Sequence, residues 1–263
     1  MNRYLSILAL AARHTIWKVL AITAAAAALA GWLMLRLPLV GDVIGVRGDG
    51  SPYLHPYTLE EIPAKSLATA ACLAGFLAIM AVLCLNGCGF GAKTDYTVCR
   101  LRVEEWKAYL VWAAYYTVCL ILYWAVMAAV CCWAMGRRVE MLAADPEYGY
   151  IAGPQSRLLA FYSSPFLHHL LPLRDIAVWV SDVFLTALCG ASAMEFSRQQ
   201  RKGRIIILPL SAAWLMVCSF TFSLGSWVNY VVPFCAIACL TAVMMRAMKR
   251  GDEADEVSVP TKA

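Results

Sequence analysis

The chain has 263 residues, of which 62% are hydrophobic and only 15% are charged, and its mean hydropathy is +0.66. Soluble domains carry about 25% charged residues, so this chain has too few polar side chains to cover a surface that faces water. The composition excludes a disordered chain, a soluble enzyme and a coiled coil. The net charge of +5 is spread over the ends of apolar runs, which is typical of membrane proteins and argues against nucleic-acid binding. We therefore expect a polytopic helical membrane protein.

The first half of the chain contains an amphipathic stretch and three uncharged runs. Residues 1–16 combine apolar positions with flanking arginines, which predicts a short helix lying in the membrane interface. Uncharged runs follow at 19–35, 66–92 and 108–136. A helix needs about 20 mostly apolar residues to cross the hydrocarbon core, so each run predicts one transmembrane span.

The second half of the chain contains two further apolar runs. Residues 176–194 are interrupted only by Asp182 and predict a fourth span. The uncharged run at 205–245 is about twice as long as a single crossing requires. We expect it to divide at residues 223–226, Ser-Leu-Gly-Ser, into two spans joined by a very short turn.

One apolar segment is too irregular for a plain span. Residues 158–173 are uncharged, but they include Pro165 and Pro172 and the adjacent pair His168 and His169. Proline breaks a helix, and irregular backbone at membrane depth is tolerated only inside protein or beside water. We expect an interfacial or re-entrant segment that leads into the fourth span, with the two histidines near the outer surface.

These runs together predict an all-α fold with six transmembrane helices in residues 17–247 and a tail at 248–263. The expected outer loops are 38–64 and 137–173, and the expected cytoplasmic loops are 93–107 and 195–204. With this arrangement, 15 of the 22 basic residues lie on one side of the membrane. Because basic residues are enriched on the cytoplasmic side, we expect a multi-pass protein of the plasma membrane with both termini in the cytoplasm.

The motifs argue against chemistry within this chain. Residues 87–94 resemble a phosphate-binding loop, but Ala92 replaces the second glycine and no buried strand precedes them. The eleven cysteines lie mostly within or beside apolar runs, where we interpret them as packing residues. The sequence therefore predicts no cofactor and no metal in this chain.

Asp182 is the one acidic residue well inside a predicted span. A charged carboxylate at the bilayer centre is unfavourable by roughly 2.5–3.5 kcal/mol, so this side chain should face protein or a cavity. It is either a substrate or gating contact or a structural hydrogen-bonding group for Ser181, Thr186 or a neighbouring helix. Tyr123 and Trp124 of the third span either line a ligand path or simply pack.

The loop between the second and third spans becomes polar and charged at residues 93–108, KTDYTVCRLRVEEWKA. On a helix, Leu101, Val103 and Trp106 form one apolar stripe, with Glu104 and Glu105 opposite. A short amphipathic helix on the cytoplasmic face is suited to docking a soluble partner. The other interpretation is an ordinary solvated loop.

At this point the chain resembles the membrane subunits of type-2 ATP-binding-cassette (ABC) exporters. Those permeases have six spans, an N-terminal interfacial helix, and a cytoplasmic coupling helix between the second and third spans. Thr97, Leu101 and Val103 keep the spacing of a string that many of them carry in the coupling helix. Here Arg102 stands where proline is usual, and an acidic pair follows where a hydroxyl and a basic residue are usual.

The resemblance implies that two permeases, identical or related, form a membrane pathway above two separate ATPase subunits, which bind ATP and magnesium. It implies an exported peptide, lipid or amphipathic drug, and pathway residues Asp182, Tyr123 and Trp124. The ATPase contact would involve the N-terminal helix and the coupling helix, through Arg13, Tyr96, Arg100, Leu101, Arg102, Glu104 and Glu105. The alternatives are an accessory or assembly membrane protein and an intramembrane enzyme.

Overall fold

The computed structural model describes most of the chain as helices joined by short turns. The described residues are 3–38, 40–46, 52–86, 105–144, 153, 155–201, 206–222, 231–232, 234–243 and 245. The elements are α1 (Arg3–Arg36), β1 (Val40–Val46), β2 (Pro52–Pro56), α2 (Ile62–Lys65), α3 (Ala68–Leu85), α4 (Glu105–Ala143), α5 (Ser156–Ser163), α6 (Pro165–Leu170), α7 (Ile176–Arg201), α8 (Leu208–Thr221) and α9 (Phe234–Val243).

Within these described residues, four helices are long and apolar enough to cross a membrane. They correspond to the first four predicted spans and cover Ala11–Arg36, Ala68–Leu85, Trp106–Ala143 and Ile176–Gln200. Large apolar side chains such as Trp17, Trp32 and Leu122 are exposed on their outer faces, as expected where lipid replaces water. The prediction of a helical membrane protein is thus confirmed in this coarse form.

The first helix is longer than the sequence predicts. Residues 3–36 form one continuous helix, whereas we expect a separate interfacial helix at 1–16 followed by a span. The segment from Arg3 to Ala30 contains neither proline nor glycine, so nothing in it favours a break. At about 1.5 Å per residue the helix is about 51 Å long, which exceeds the roughly 30 Å hydrocarbon core. The interfacial position of its first turns stays a prediction.

The predicted outer loop 38–64 departs from the all-α expectation. Its strands β1 and β2 pair antiparallel, with Val40 opposite Pro56 and Val46 opposite Pro52. Prolines interrupt helix formation here, and valines favour extended backbone. In the described part of the chain, this hairpin is the exception to a helical fold.

Two spans extend past the uncharged runs that predict them. Helix α4 continues from 136 to Ala143, and α7 continues from 194 to Arg201, into the loop expected at 195–204. The predicted outer loop 137–173 therefore begins as helix and later contains the short helices α5 and α6. Pro165 occupies the first turn of α6, where a missing N–H costs nothing.

The spans pack closely around α4. Helix α1 contacts α3 and α4, and α7 contacts α4 and α8. Two glycines permit these approaches: a Cβ added at Gly75 would lie 2.6 Å from the Cβ of Ala26, and one at Gly190 would lie 2.8 Å from the backbone nitrogen of Thr117. Small residues at helix contacts are the usual means of close packing within a membrane.

Candidate functional site

A histidine and an aspartate lie within hydrogen-bond distance where α6 folds back against α7. The Nδ1 atom of His169 lies 3.1 Å and 3.2 Å from the two carboxylate oxygens of Asp182. The side chains are only 8% and 13% exposed. The turn between the helices contains Pro172, which cannot continue α6. Asp182 is therefore bonded to a neighbouring helix, one of the structural arrangements that the sequence leaves open.

The adjacent histidine forms a second, outward-facing pair. The Nε2 atom of His168 lies 3.2 Å from the Asp175 carboxylate, which is 55% exposed. Successive residues on a helix point about 100° apart, so the two neighbouring histidines make different contacts. Among the described residues no cluster of three or more metal-binding side chains occurs, and the cysteines are free thiols.

A cavity of about 330 Å³ lies beside the inner pair, between α4, α6, α7 and α8. Its walls are mainly apolar and aromatic, and include Trp124, Trp179, Met216 and Phe220. The volume falls within the roughly 300–1,000 Å³ that small-molecule sites occupy. An apolar cavity with one imidazole and one carboxylate has the composition of a ligand site.

Trp124 connects the cavity to the aromatic core. Its ring stacks on Phe220 with 4.4 Å between centroids, and the centroid of the Phe76 ring lies 5.4 Å away. The His169 ring is also 5.3 Å from Phe220. The structure thus brings together two of the predicted pathway residues, Asp182 and Trp124, at one cavity.

Tyr123 lies elsewhere. Its side chain is fully buried, and its hydroxyl donates a hydrogen bond to the backbone carbonyl of Cys72 on α3. It also lies beside Gly75, whose added Cβ would be 2.7 Å from the hydroxyl. Tyr123 does not line the cavity and packs α4 against α3.

A second polar cluster is buried at the other end of α7. Arg198 donates to the Glu195 carboxylate at 3.0 Å, and Gln199 donates to the same oxygen at 2.7 Å. All three residues are buried. Glu195 thus pairs with a basic residue one turn further along its own helix.

This cluster is adjacent to the ends of α3 and α4. Ser197 donates to the backbone carbonyls of Cys84 and Asn86, each at 2.8 Å. The Asn86 side chain donates to the Tyr116 hydroxyl at 2.9 Å. Asn86 directly follows α3, so these hydrogen bonds join α7 to the end of α3, and Asn86 in turn joins the end of α3 to α4.

Most of the predicted ATPase contact lies outside the described residues. This applies to the part of the predicted coupling helix formed by Tyr96, Arg100, Leu101, Arg102 and Glu104. Glu105 is the first residue of α4, and Arg13 is exposed on α1. The structure therefore leaves the predicted docking contact untested.

The sequence reasoning missed His169 as the partner of Asp182. The available signal was that both are ionisable residues on either side of one proline turn, and an acid inside a span requires a partner. No serine or cysteine is found among the described residues that line the cavity, and the Thr186 hydroxyl donates to the Asp182 backbone carbonyl at 2.7 Å.

No protein-family model, curated protein or solved structure matches this chain.

Proposed function

We propose that this chain is the permease subunit of an ABC transporter, which forms the membrane pathway for a peptide, lipid or amphipathic compound. The observation that carries the proposal is the cavity between α4, α6, α7 and α8, which places His169 and Asp182 in apolar surroundings. Buried ionisable residues in membrane helices typically mark substrate or ion pathways. ATP hydrolysis, with its magnesium, belongs to separate ATPase subunits.

The proposed architecture has six spans, an N-terminal interfacial helix and both termini in the cytoplasm of the cell. Besides the four long apolar helices, the short apolar helices α8 and α9 lie within the uncharged run at 205–245, which supports the proposal of a fifth and a sixth span. Exposed apolar side chains on α1, among them Leu20 and Leu29, supply surface for lipid or for a second permease copy or paralogue.

The loop at 93–107 is the proposed coupling helix. It joins α3 to α4. Ser197 of α7 donates to the carbonyl of Cys84 at the end of α3, and Tyr109 near the start of α4 donates to the carbonyl of Ala191 on α7. Asp182 and Arg198 both belong to α7, and their separation in sequence corresponds to about 24 Å along the helix axis. A push on the loop by an ATPase would therefore act on the helix that carries the cavity carboxylate.

The test is copurification of the full chain from its native membrane, followed by measurement of ATPase turnover in the complex. We expect a cassette ATPase in the complex. We expect the double variant Arg100→Ala/Glu104→Ala to lower the ATPase turnover of that complex, because it removes the contact between the permease and the ATPase. The matched control is Arg137→Ala/Glu140→Ala, an exposed ion pair at the opposite, outer end of α4. That control should leave turnover unchanged.

The same experiment separates the alternatives. A stable complex without any ATPase would contradict the proposal and favour an accessory or assembly protein. Equal loss of turnover in both double variants would remove the assignment of residues 93–107 as the coupling element. Turnover by the chain alone would contradict the assignment of hydrolysis to a partner.

A further inference from the structure

The Asp182 carboxylate has unused hydrogen-bonding capacity that faces the cavity. In the described part of the chain its side-chain oxygens accept hydrogen bonds from one atom, the Nδ1 of His169. A carboxylate offers about four acceptor sites. Each oxygen has the single contact with His169, so further acceptor sites remain for a ligand that donates N–H groups.

The remaining walls specify the rest of such a ligand. The cavity is lined by aliphatic and aromatic side chains, and its described lining contains neither lysine nor arginine. An anionic headgroup would meet the Asp182 carboxylate, and among the described lining residues His169 is the basic side chain beside it. A cationic headgroup would instead meet a carboxylate and nearby aromatic rings, both of which attract ammonium ions.

The cavity reaches the outer apolar surface of the protein. Three of its lining residues, Ile121, Trp179 and Val183, are 44%, 47% and 48% exposed. They belong to α4 and α7, which are both candidate membrane spans. A molecule dissolved in the bilayer would therefore reach the cavity sideways, between these two helices.

From these observations we infer that the cavity binds an amphipathic ammonium compound, with its N–H groups on Asp182 and its hydrocarbon part along Trp124 and Trp179. The inference rests on the proposed function, because it specifies the substrate class of the same pathway. The N–H groups distinguish this ligand from quaternary ammonium compounds, which present charge but no donor. The hydrocarbon part distinguishes it from small polyamines, which would not fill an apolar cavity.

The test measures saturable binding of tritiated decylammonium to the full chain in phosphatidylcholine nanodiscs, corrected for uptake by empty discs. Unlabelled decylammonium should compete, whereas decanol and decyltrimethylammonium should compete about tenfold or more weakly, since they lack the charge or the donors. Asp182→Asn should weaken binding by a similar factor. The matched control, Asp175→Asn, makes the same change in the exposed His168 pair and should leave binding unchanged.

The competition series on the unaltered chain tests whether the cavity binds an ammonium compound, even if Asp182→Asn does not fold. Equal competition by decylammonium and decanol, or binding that never saturates, would overturn the inference. Equal weakening by Asp175→Asn and Asp182→Asn would also overturn it. Saturable, Asp182-dependent binding in a chain that copurifies with no ATPase would support the ligand assignment while contradicting the transporter. An ATPase complex that binds no ammonium compound would support the transporter and contradict the ligand assignment.

Discussion

At the residue scale, Arg138 provides the hydrogen bonds at the end of α1. Its side chain is almost fully buried, and its guanidinium donates to the backbone carbonyls of Leu37 at 2.6 Å and Pro38 at 3.2 Å. These two carbonyls directly follow α1, which ends at Arg36, and Pro38 cannot extend the helix. Arg138 therefore ties the end of the first span to α4 and to the start of the outer hairpin.

We expect Arg138→Met to lower the stability of the protein by about 1–3 kcal/mol, because it leaves two carbonyls at the helix end without a donor. The neighbouring substitution Arg137→Met removes an equally basic residue, but its ion pair with Glu140 is more than half exposed. Exposed pairs contribute about 0–1 kcal/mol, so that variant should change little. Thermal unfolding in detergent compares the two, and equal losses would contradict the capping role.

Also at the residue scale, the sequence identifies Asp182 as an unfavourable residue within a span, but it does not identify the residues around it. Asp182 stands out because a carboxylate in hydrocarbon needs compensation, and that argument needs no structure. Its partner His169 and the division of roles between Tyr123 and Trp124 depend on helix rotation. Neighbours on a helix point about 100° apart, so one of the two aromatic residues faces α3 and the other faces the cavity.

At the element scale, Gly190 determines how closely α7 approaches α4. A Cβ at this position would lie 2.5 Å from the hydroxyl oxygen and 2.8 Å from the backbone nitrogen of Thr117. A side chain can turn away from such a contact, whereas a helix backbone can only shift as a whole. The glycine is thus required by the contact between the two spans that border the cavity.

We expect Gly190→Ala to destabilise the protein by about 1–3 kcal/mol, the usual effect of overpacking. The matched control is Gly136→Ala on α4, where the added Cβ would first meet the Arg157 guanidinium nitrogen, at 3.6 Å. Alanine favours a helix over glycine by up to about 1 kcal/mol, so this control should equal or exceed the starting stability. The readout is the thermal midpoint in detergent, and similar midpoints for both variants would argue against close packing at Gly190.

The ends of the helices differ from the ends of the uncharged runs that predict the spans. An uncharged run marks the apolar part of a candidate span, but α4 and α7 continue past their runs into charged residues. On α7 the pair Glu195 and Arg198 satisfies two charges within the helix, which removes the reason to end it. The hairpin at 40–56 forms in a loop that contains prolines and valines. Hydropathy, which predicts the spans, does not predict strands in such a loop.

At the scale of the whole molecule, α7 connects the two buried polar groups. The pair with His169 lies near one end of the helix, and the cluster around Arg198 lies near the other, beside the ends of α3 and α4. His169 joins α6 to α7 at one end, and Ser197 joins α7 to the end of α3 at the other, so the hydrogen bonds at each end favour one arrangement of the helices that they connect. Motion between the ends of α7 would then displace the helix as a rigid unit.

The membrane topology provides the whole-molecule prediction. The short helix α8 spans 14 residues, about 21 Å and less than the roughly 30 Å hydrocarbon core. However, it belongs to the uncharged run at 205–245, which is long enough for two crossings. We therefore expect residues 223–230 to emerge on the outer side, and residues 93–104 and the C-terminus to lie in the cytoplasm.

Reporter fusions measure this arrangement, because alkaline phosphatase is active only outside the cytoplasm and green fluorescent protein folds readily within it. Phosphatase inserted after Ser226 should be active, as should an insertion after Arg47 in the outer hairpin segment. Fluorescent fusions after Asp95 and Ala263 should be bright. Both four and six crossings place the termini on the same side, so the insertion after Ser226 is the one that separates them. A bright fluorescent fusion and an inactive phosphatase at that position would establish four crossings and contradict the six-span permease.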